Sequence, residues 1–389
     1  MERIKLWTKD YVLFLWVNLF MNTGVQLLIP VLPLYATEVL GAHESQVGYL
    51  LGLYSFAALI ARPLAGYSYD NFDRKKIFTI ALVVFGVLFA FYPFISVFAF
   101  LVVMRIIHGV IFSFTTTGAS TIVGDILHPI RRAEGIGFFG MTQTVAMAIG
   151  PMLAIWVIDL GQYSTLFIAG AVLLFTAVLA FRLVDYKSMK PKKRKKINPR
   201  NFFEKRVLPI AANMMLVGVG MGAIFSYVVI YSQNTLGFSG GTFFLLYALG
   251  VLVVRISSGR IIAQYGAIPI AIFGLGIQIV GLILLSMTNS TILFVVSSIL
   301  LGFANGSIMP SLLAMIFDVV DHKSRGAATA TFFAAMDIGI GGGSIVLGWI
   351  VDLLSIGEMF LVTGIYALIP LLLFIFYVQK DYRNKVQSE

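Results

Sequence analysis

One carboxyl group stands out in this sequence because of where it lies. Asp337 falls near the middle of an apolar stretch, about 327–351, and we place no other acidic residue so deep in such a stretch. Apolar surroundings favour the neutral form of a carboxyl group, so this side chain can change its charge as its access to water changes. It is suited to proton or cation coupling or to binding a cationic substrate; a structural hydrogen bond is the third interpretation.

Two basic side chains lie in another apolar stretch, near 99–124. Arg105 is far from the charged residues that follow this stretch, and a charge at such depth costs about 3 kcal/mol on insertion scales, so it should face a cavity or a partner. His108 lies one helical turn further on the same face. We predict that Asp337, Arg105 and His108 act in proton coupling. The alternative is that Arg105 bonds carbonyl groups and holds helices together.

The elements that must position these residues are membrane helices. Only 12% of the residues are charged and 59% are hydrophobic, which is too apolar for a soluble domain. Stretches of about twenty apolar residues, long enough to cross a bilayer as a helix, recur along the whole chain. They lie near 11–36, 46–66, 77–97, 99–124, 135–158, 163–184, 207–232, 241–262, 267–287, 291–317, 327–351 and 357–379. The sequence therefore predicts an all-α membrane protein with twelve transmembrane helices.

The basic residues predict the orientation of these helices. Apart from Arg62, Arg105 and Arg255, every lysine and arginine lies in a terminal tail or in alternate loops, which places both termini in the cytoplasm. The segment 185–206 is a basic linker, whose run Lys190–Lys196 either attracts anionic lipid or only sets the topology. Nucleic-acid binding is not expected, because the positive charge is spread over all these loops.

The two halves of the sequence resemble each other at an offset of 193 positions. Tyr54, Arg62 and Gly66 correspond to Tyr247, Arg255 and Gly259; Gly109, Asp125 and Arg132 to Gly302, Asp318 and Arg325; Gly150, Trp156 and Asp159 to Gly343, Trp349 and Asp352. We therefore predict two pseudo-repeated six-helix bundles, 1–184 and 207–389, on either side of the linker. A parallel repeat of this kind permits alternating access to a cavity between the halves.

Several motifs resemble those of the major facilitator superfamily. The segment from Gly66 through Asp70 to Arg74 is similar to the family's loop between spans 2 and 3, and Arg105 to Gly109 is similar to its pattern in span 4. The resemblance implies that Gly66, Asp70, Arg74 and Asp125 form an inner gate, a charge cluster that braces the halves when the cavity faces outward. Asn71 and Asp73 stand where the family usually has arginine and glycine.

Span 5 carries a second resemblance. Gly137, Gly150 and Pro151 lie in a pattern that resembles the antiporter motif of the twelve-span drug–proton branch of this family, although Ile155 replaces a glycine. The start of the chain, from Pro30 to Tyr35, is similar to the same branch. These features imply efflux rather than uptake.

Polar residues within the spans are candidates for lining the substrate cavity. Asn18, Asn22 and Gln26 recur every four residues and form one stripe along span 1. The stripe faces the cavity in one interpretation and makes interhelical hydrogen bonds in the other. Gln143, Tyr227 and Asn305 are further candidates.

What the sequence lacks also narrows its function. It contains no cysteine, no phosphate-binding loop with lysine and no cluster of histidine and carboxylate with metal spacing. We therefore expect no enzyme, no metal and no cofactor, with a proton gradient as the energy source.

We predict a proton-coupled efflux carrier for a small molecule, lipophilic or cationic in character. It is expected to be a monomer in the lipid bilayer of the plasma membrane. The alternative is proton-coupled uptake or export of a polar metabolite such as a sugar or a small organic acid, with Arg105 pairing with an anion. A membrane sensor or a lipid-handling protein is less favoured, since no large soluble domain is encoded.

Overall fold

The computed structural model describes residues 5–160, 162–186, 204–235, 237–238, 240–321 and 324–387. The regular structure within these ranges is helical. The first half contains α1 (Lys9–Leu34), α2 (Val47–Asn71), α3 (Arg74–Phe91), α4 (Phe98–Ile126), α5 (Arg132–Asp159) and α6 (Tyr163–Arg182). The second half contains α7 (Leu208–Ile230), α8 (Gly240–Tyr265), α9 (Ala267–Ser286), α10 (Thr291–Val319), α11 (Arg325–Leu353), α12 (Ile356–Tyr366), α13 (Leu368–Leu373) and α14 (Gln379–Gln387).

The helices account for the predicted number of spans. In the described ranges, eleven helical segments are long and apolar enough to cross a membrane, and α8 adds a shorter apolar stretch, Gly240–Ile256. Large apolar side chains are also exposed on the helices, for example Ile60 and Leu353, which are 77% and 83% exposed. Apolar surface of this extent suits lipid rather than water. The prediction of an all-helical membrane protein with twelve spans is confirmed.

Local sequence determines where the helices begin. The Asp73 carboxylate accepts a hydrogen bond from the Lys76 backbone N–H at 3.1 Å and caps α3. Ser355 and Glu358 form a reciprocal capping box at the start of α12. These side chains satisfy backbone donors that a helix terminus leaves without partners. Each cap therefore fixes the residue at which the chain enters a span.

The last span is interrupted by Pro370. A proline ring clashes with the carbonyl group four residues earlier, which here belongs to Tyr366, the last residue of α12. The chain continues as α13 and then as a π-helical turn, Phe374–Val378, that leads into α14. The buried Asn213 side chain on α7 donates a 2.7 Å hydrogen bond to the Pro370 carbonyl oxygen. This contact satisfies a backbone group where the helix is irregular.

Contacts divide the chain into two compact units. One contains the described residues up to Gly41 and from Phe56 to Tyr186, and the other contains Ala42–Ser55 and the described residues from Glu204 onward. The start of α2 therefore packs with the second half of the chain. Most of the predicted linker 185–206, including its basic run, lies outside the described residues.

The same helix pairs recur in both units. In the first, α1 packs on α5, and α3 packs on α4 and α6; in the second, α7 packs on α11, and α9 packs on α10 and α12. These pairs correspond to one another under the offset found in the sequence. The repeat is therefore a repeat of backbone packing, against which differences in side chains can be compared.

Candidate transport site

Asp337 lies near the middle of α11 and is partly buried. It is twelve residues from the start of the helix at Arg325, or about 18 Å along the axis. Gly341 is one turn further and lies on the same face. The neighbours of α11 on this face and on the opposite face therefore decide how the carboxyl group is exposed.

Glycines bring α11 close to α7. A methyl group at Gly339 would lie 1.9 Å from the Met215 carbonyl oxygen, and one at Gly343 would lie 2.7 Å from the Val219 Cα atom. On α7, a methyl group at Gly222 would lie 2.6 Å from the Ile340 carbonyl oxygen. Backbones approach this closely only where side chains are absent. The contact fixes the depth and rotation of α11 within its unit, and with them the position of Asp337.

The start of α2 packs on α11 through a second set of glycines, which we call the glycine seam. It comprises Gly48 and Gly52 on α2 and Gly341 and Gly348 on α11. A methyl group at Gly48 would lie 2.1 Å from the Ser344 carbonyl oxygen, and one at Gly341 would lie 3.0 Å from the Gly52 carbonyl oxygen. The seam ends at Gly341, so Asp337 lies one turn beyond it.

Polar contacts complete the seam towards the end of α11. The Trp349 indole N–H donates to the Tyr49 hydroxyl at 3.0 Å, and His43 Nδ1 lies 3.1 Å from an Asp352 carboxylate oxygen. Tyr227, predicted to line a cavity, is fully buried beside the seam and donates to the Ser344 carbonyl oxygen at 3.0 Å. In this arrangement the segment from His43 to Gly52, which includes the start of α2, covers α11 from Asp352 to Gly341.

Arg105 and His108 lie in a buried cluster of the first unit. Arg105 is 7% exposed, and His108 is completely buried. The hydroxyl of Tyr92, which directly follows α3, lies 2.8 Å from His108 Nδ1, and the Arg105 guanidinium interacts with this hydroxyl. The sequence predicted that Arg105 and His108 share a face; the structure adds Tyr92, which sequence reasoning missed.

The asparagines of the span 1 stripe bond to neighbouring backbone and side chains. Asn18 donates to the Thr142 hydroxyl on α5 at 2.7 Å, and Asn22 donates to the Asn18 carbonyl oxygen at 2.8 Å. Both are buried. Asn18 therefore lies in the contact between α1 and α5.

The antiporter-like motif lies in the same contact. A methyl group at Gly150 would lie 2.5 Å from the Gln26 Cβ atom, so this glycine brings α5 close to α1. Pro151 follows and is buried. No described atom lies within 4 Å of a methyl group placed at Gly137. The two glycines of the motif therefore differ in how closely they are packed.

The other candidate lining residues occupy different environments. Gln143 is exposed on α5. Asn305 lies beside a small cavity in the second unit, next to Tyr247 and Gln278. The space that can hold a water centre there is about 10 Å³, or room for roughly one water. The structure does not bring Asn305 and Gln143 together within one unit.

The predicted inner gate is partly assembled within the first unit. One Arg74 nitrogen donates to both Asp125 oxygens, at 2.9 and 2.7 Å, and Arg74 Nε donates to the Tyr69 carbonyl oxygen. The Tyr186 hydroxyl donates to Asp125 at 2.5 Å. Burial and this hydrogen bond to a carboxylate raise the pKa of Tyr186, so its hydroxyl keeps its proton at physiological pH.

The other two residues of the predicted gate, Asp70 and Gly66, are less closely packed. Asp70 is exposed at the end of α2. A methyl group at Gly66 would have no described atom within 4 Å, so Gly66 is not in a close helix contact there. Among the described residues, no three histidine or carboxylate side chains converge as metal ligands would.

Together, the fold and these sites define a class: a membrane protein of two repeated helical units, with a partly buried acid in one and a buried basic cluster in the other. The profile of the Major Facilitator Superfamily matches residues 14–291 and 241–389. The chain belongs to this superfamily. It is therefore a transporter and not an enzyme.

The chain is similar in sequence to named relatives over most of its length, and similar in fold to solved structures. The staphylopine export protein of Staphylococcus aureus is 24% identical over 349 residues, 86% of this chain and 87% of the relative. Multidrug resistance protein 2 of Bacillus subtilis is 24% identical over 330 residues, 80% and 78% of the two chains. The crystal structure of the human organic anion transporter MFSD10 matches with a TM-score of 0.73 and 16% identity, covering 94% of this chain and 99% of that one.

Proposed function

We propose that this protein is a secondary active transporter that couples inward proton movement to the efflux of a small molecule, lipophilic or cationic in character. The observation that carries this proposal is Asp337, a partly buried carboxyl group in mid-span, one turn beyond the glycine seam. Relatives over most of the chain include proteins named for export and for multidrug resistance, which supports the outward direction.

The proposed cycle assigns the change of charge to Asp337. When the glycine seam is open, Asp337 takes a proton from the outer side; after the seam closes, it releases the proton to the inner side. Arg105 and His108, in the other unit, tune or relay this proton. The proton gradient supplies the energy, without a cofactor. A carboxyl group that alternates between water-exposed and shielded states is what such coupling requires.

The proposed orientation places both termini in the cytoplasm of a cell whose plasma membrane contains the protein as a monomer. It rests on the distribution of lysine and arginine. Because the chain has no cysteine, single cysteines test it directly. Glu44→Cys is expected to react with an impermeant maleimide in intact cells, and Gln387→Cys only after permeabilisation. The reverse pattern would overturn this topology.

A second candidate is the transport of an anionic metabolite such as a small organic acid. The observation that favours it is Arg105, a buried cation within a span. A guanidinium group pairs well with a carboxylate. The likeness to an organic anion transporter extends only to the fold.

The experiment is transport by purified protein in liposomes with an imposed pH gradient. Tetraphenylphosphonium and ethidium serve as lipophilic cations, and lactate and glucose represent the second candidate. We expect gradient-driven movement of a cation that a protonophore abolishes. Asp337→Asn should lose it, and Asp318→Asn, which removes an exposed carboxylate from α10, away from the glycine seam, should retain it. Asp337→Asn transport that still follows the gradient as in the wild type would refute the assignment, and movement of lactate alone would favour the second candidate.

A further inference from the structure

We propose that Tyr92 is a positioning residue that holds the Arg105 guanidinium in place, with His108 as the neutral hydrogen-bond acceptor behind it. The proposal rests on the proposed function for the importance of Arg105. The proposal adds Tyr92, which directly follows α3, to the arginine motif of α4. It also assigns His108 to the support of Arg105 instead of to proton relay.

The direction of the hydrogen bonds follows from the groups involved. A guanidinium can only donate, so the Tyr92 oxygen accepts from Arg105. We assign the phenolic hydrogen to His108 Nδ1, 2.8 Å away, which is the acceptor within reach of this buried hydroxyl. Nδ1 accepts this hydrogen only when it carries no proton itself, which makes His108 a neutral imidazole protonated at Nε2. The three side chains form one directed chain from Arg105 through Tyr92 to His108.

Aromatic side chains enclose this series of hydrogen bonds. The rings of Phe85 and Phe89 make T-shaped contacts with His108, with ring centroids 4.5 and 5.4 Å away. Tyr92 stacks on Phe167 at 5.1 Å. Tyr92 and His108 are completely buried, so each has little freedom to turn. Polar groups in such a place are costly unless they are hydrogen-bonded, and so the chain defines one position for the guanidinium.

The second unit shows that the fold does not need a phenol, a guanidinium or an imidazole at these positions. The residues that correspond to Tyr92, Arg105 and His108 at the offset of 193 are Leu285, Ser298 and Leu301. All three are buried between the same pair of helices, α9 and α10. In the second unit, two leucines and a serine whose side chain bonds, among the described residues, only to the Phe294 carbonyl oxygen of its own helix suffice for the helix pair. The hydrogen bonds between helices in the first unit are therefore not a requirement of the repeated fold.

The variants follow from this comparison. Tyr92→Phe removes only the hydroxyl. His108→Gln keeps an acceptor, whereas His108→Leu introduces the residue that the second unit has at this position. Gradient-driven transport by the protein in liposomes is compared with exchange of labelled for unlabelled tetraphenylphosphonium, or of whichever probe the wild type carries, without a gradient.

We expect Tyr92→Phe and His108→Leu to lose at least tenfold in gradient-driven transport while exchange falls less than twofold. His108→Gln should recover at least half of the wild-type gradient-driven rate. A merely structural role would lower both activities together and would not distinguish Gln from Leu. Wild-type coupling in Tyr92→Phe, or equal coupling in the two His108 variants, overturns the proposal.

A measurement without substrate separates this proposal from the proposed function. Thermal unfolding of Tyr92→Phe, Arg105→Gln and the double variant forms a cycle that reports whether the two side chains interact. We expect the double variant to unfold within about 1 °C of Arg105→Gln alone. Additive shifts overturn the positioning role even if transport is proton-coupled. A non-additive cycle with no proton-driven transport in the wild type would refute the proposed function and leave the positioning contact standing.

Discussion

The two units differ most instructively at the ends of α4 and α10. Asp125 and Asp318 correspond in the repeat, but Asp125 is bonded by Arg74 and by Tyr186, whereas Asp318 is exposed and accepts a 2.7 Å hydrogen bond from Tyr382. Ala267 occupies the position of Arg74 in the second unit. The same backbone position thus carries a partly buried ion pair in one unit and an exposed acid in the other.

This difference shows that the repeat preserves packing and some charged residues, but not the partners of those charges. Glycines recur where helices touch, as Gly150 and Gly343 do. Charged clusters do not recur, since their partners come from loops and helix ends that have diverged. Substitutions at packed glycines should therefore act alike in both units, and substitutions at the two aspartates should act differently.

The largest loss of stability is expected at the packed glycines that both units share. Gly150→Val and Gly343→Val each place a branched side chain where a single methyl group would already lie 2.5 and 2.7 Å from an atom of the neighbouring helix. Forced separation of the helices should cost each unit about 3 kcal/mol. The measurement is thermal unfolding in detergent. Gly137→Val is the control and should shift the unfolding temperature little; a tolerated Gly343→Val would contradict the close packing of α11 on α7.

A smaller effect is expected for the ion pair that only the first unit has. Arg74→Ala leaves the Asp125 carboxylate without its main partner. The two side chains are 19% and 16% exposed, so water replaces part of the lost interaction. We expect a loss of about 2 kcal/mol in the free energy of unfolding.

Asp318→Asn is the matched variant in the second unit. It should cost less than about 0.5 kcal/mol, because its carboxylate is exposed. Both variants are compared by unfolding temperature under one condition. Equal shifts for Arg74→Ala and Asp318→Asn would remove the asymmetry between the units.

The smallest difference in stability is expected between the variants of two tyrosines, Tyr186 and Tyr382. Tyr186→Phe removes a hydrogen bond to a partly buried carboxylate and should cost about 1.5 kcal/mol, whereas Tyr382→Phe removes one to an exposed carboxylate and should cost less. The unfolding temperatures of these two variants give the comparison. A larger shift for Tyr382→Phe would show that the exposed acid matters more than its surroundings indicate.

The sequence predicted the fold because apolar length and charge placement depend on the bilayer alone. Twelve apolar stretches and the offset between the halves were enough for the number of spans and for the repeat. The sequence does not show how the glycines near Asp337 divide between two neighbours: Gly339 and Gly343 face α7, and Gly341 faces the start of α2. A rotation of α11 by one residue would exchange these contacts, and the sequence does not fix that rotation.

The candidate site was predicted less completely, since its partners come from distant segments. Tyr92 contacts His108 across two helices, and Tyr186 follows α6, 61 residues after Asp125. No local spacing connects these pairs. The repeat itself could have identified Tyr92, because Leu285 and Leu301 occupy the positions that correspond to Tyr92 and His108 in the second half.

Proton movement itself tests the account most directly. Liposomes that contain a pH-sensitive dye and the purified protein are given the transported probe without an imposed gradient, and the internal pH is recorded. The account predicts a change in internal pH that accompanies probe movement in the wild type and in Asp318→Asn, and none in Asp337→Asn despite continued probe exchange. A pH change of wild-type size in Asp337→Asn would contradict the assignment of coupling to this carboxyl group.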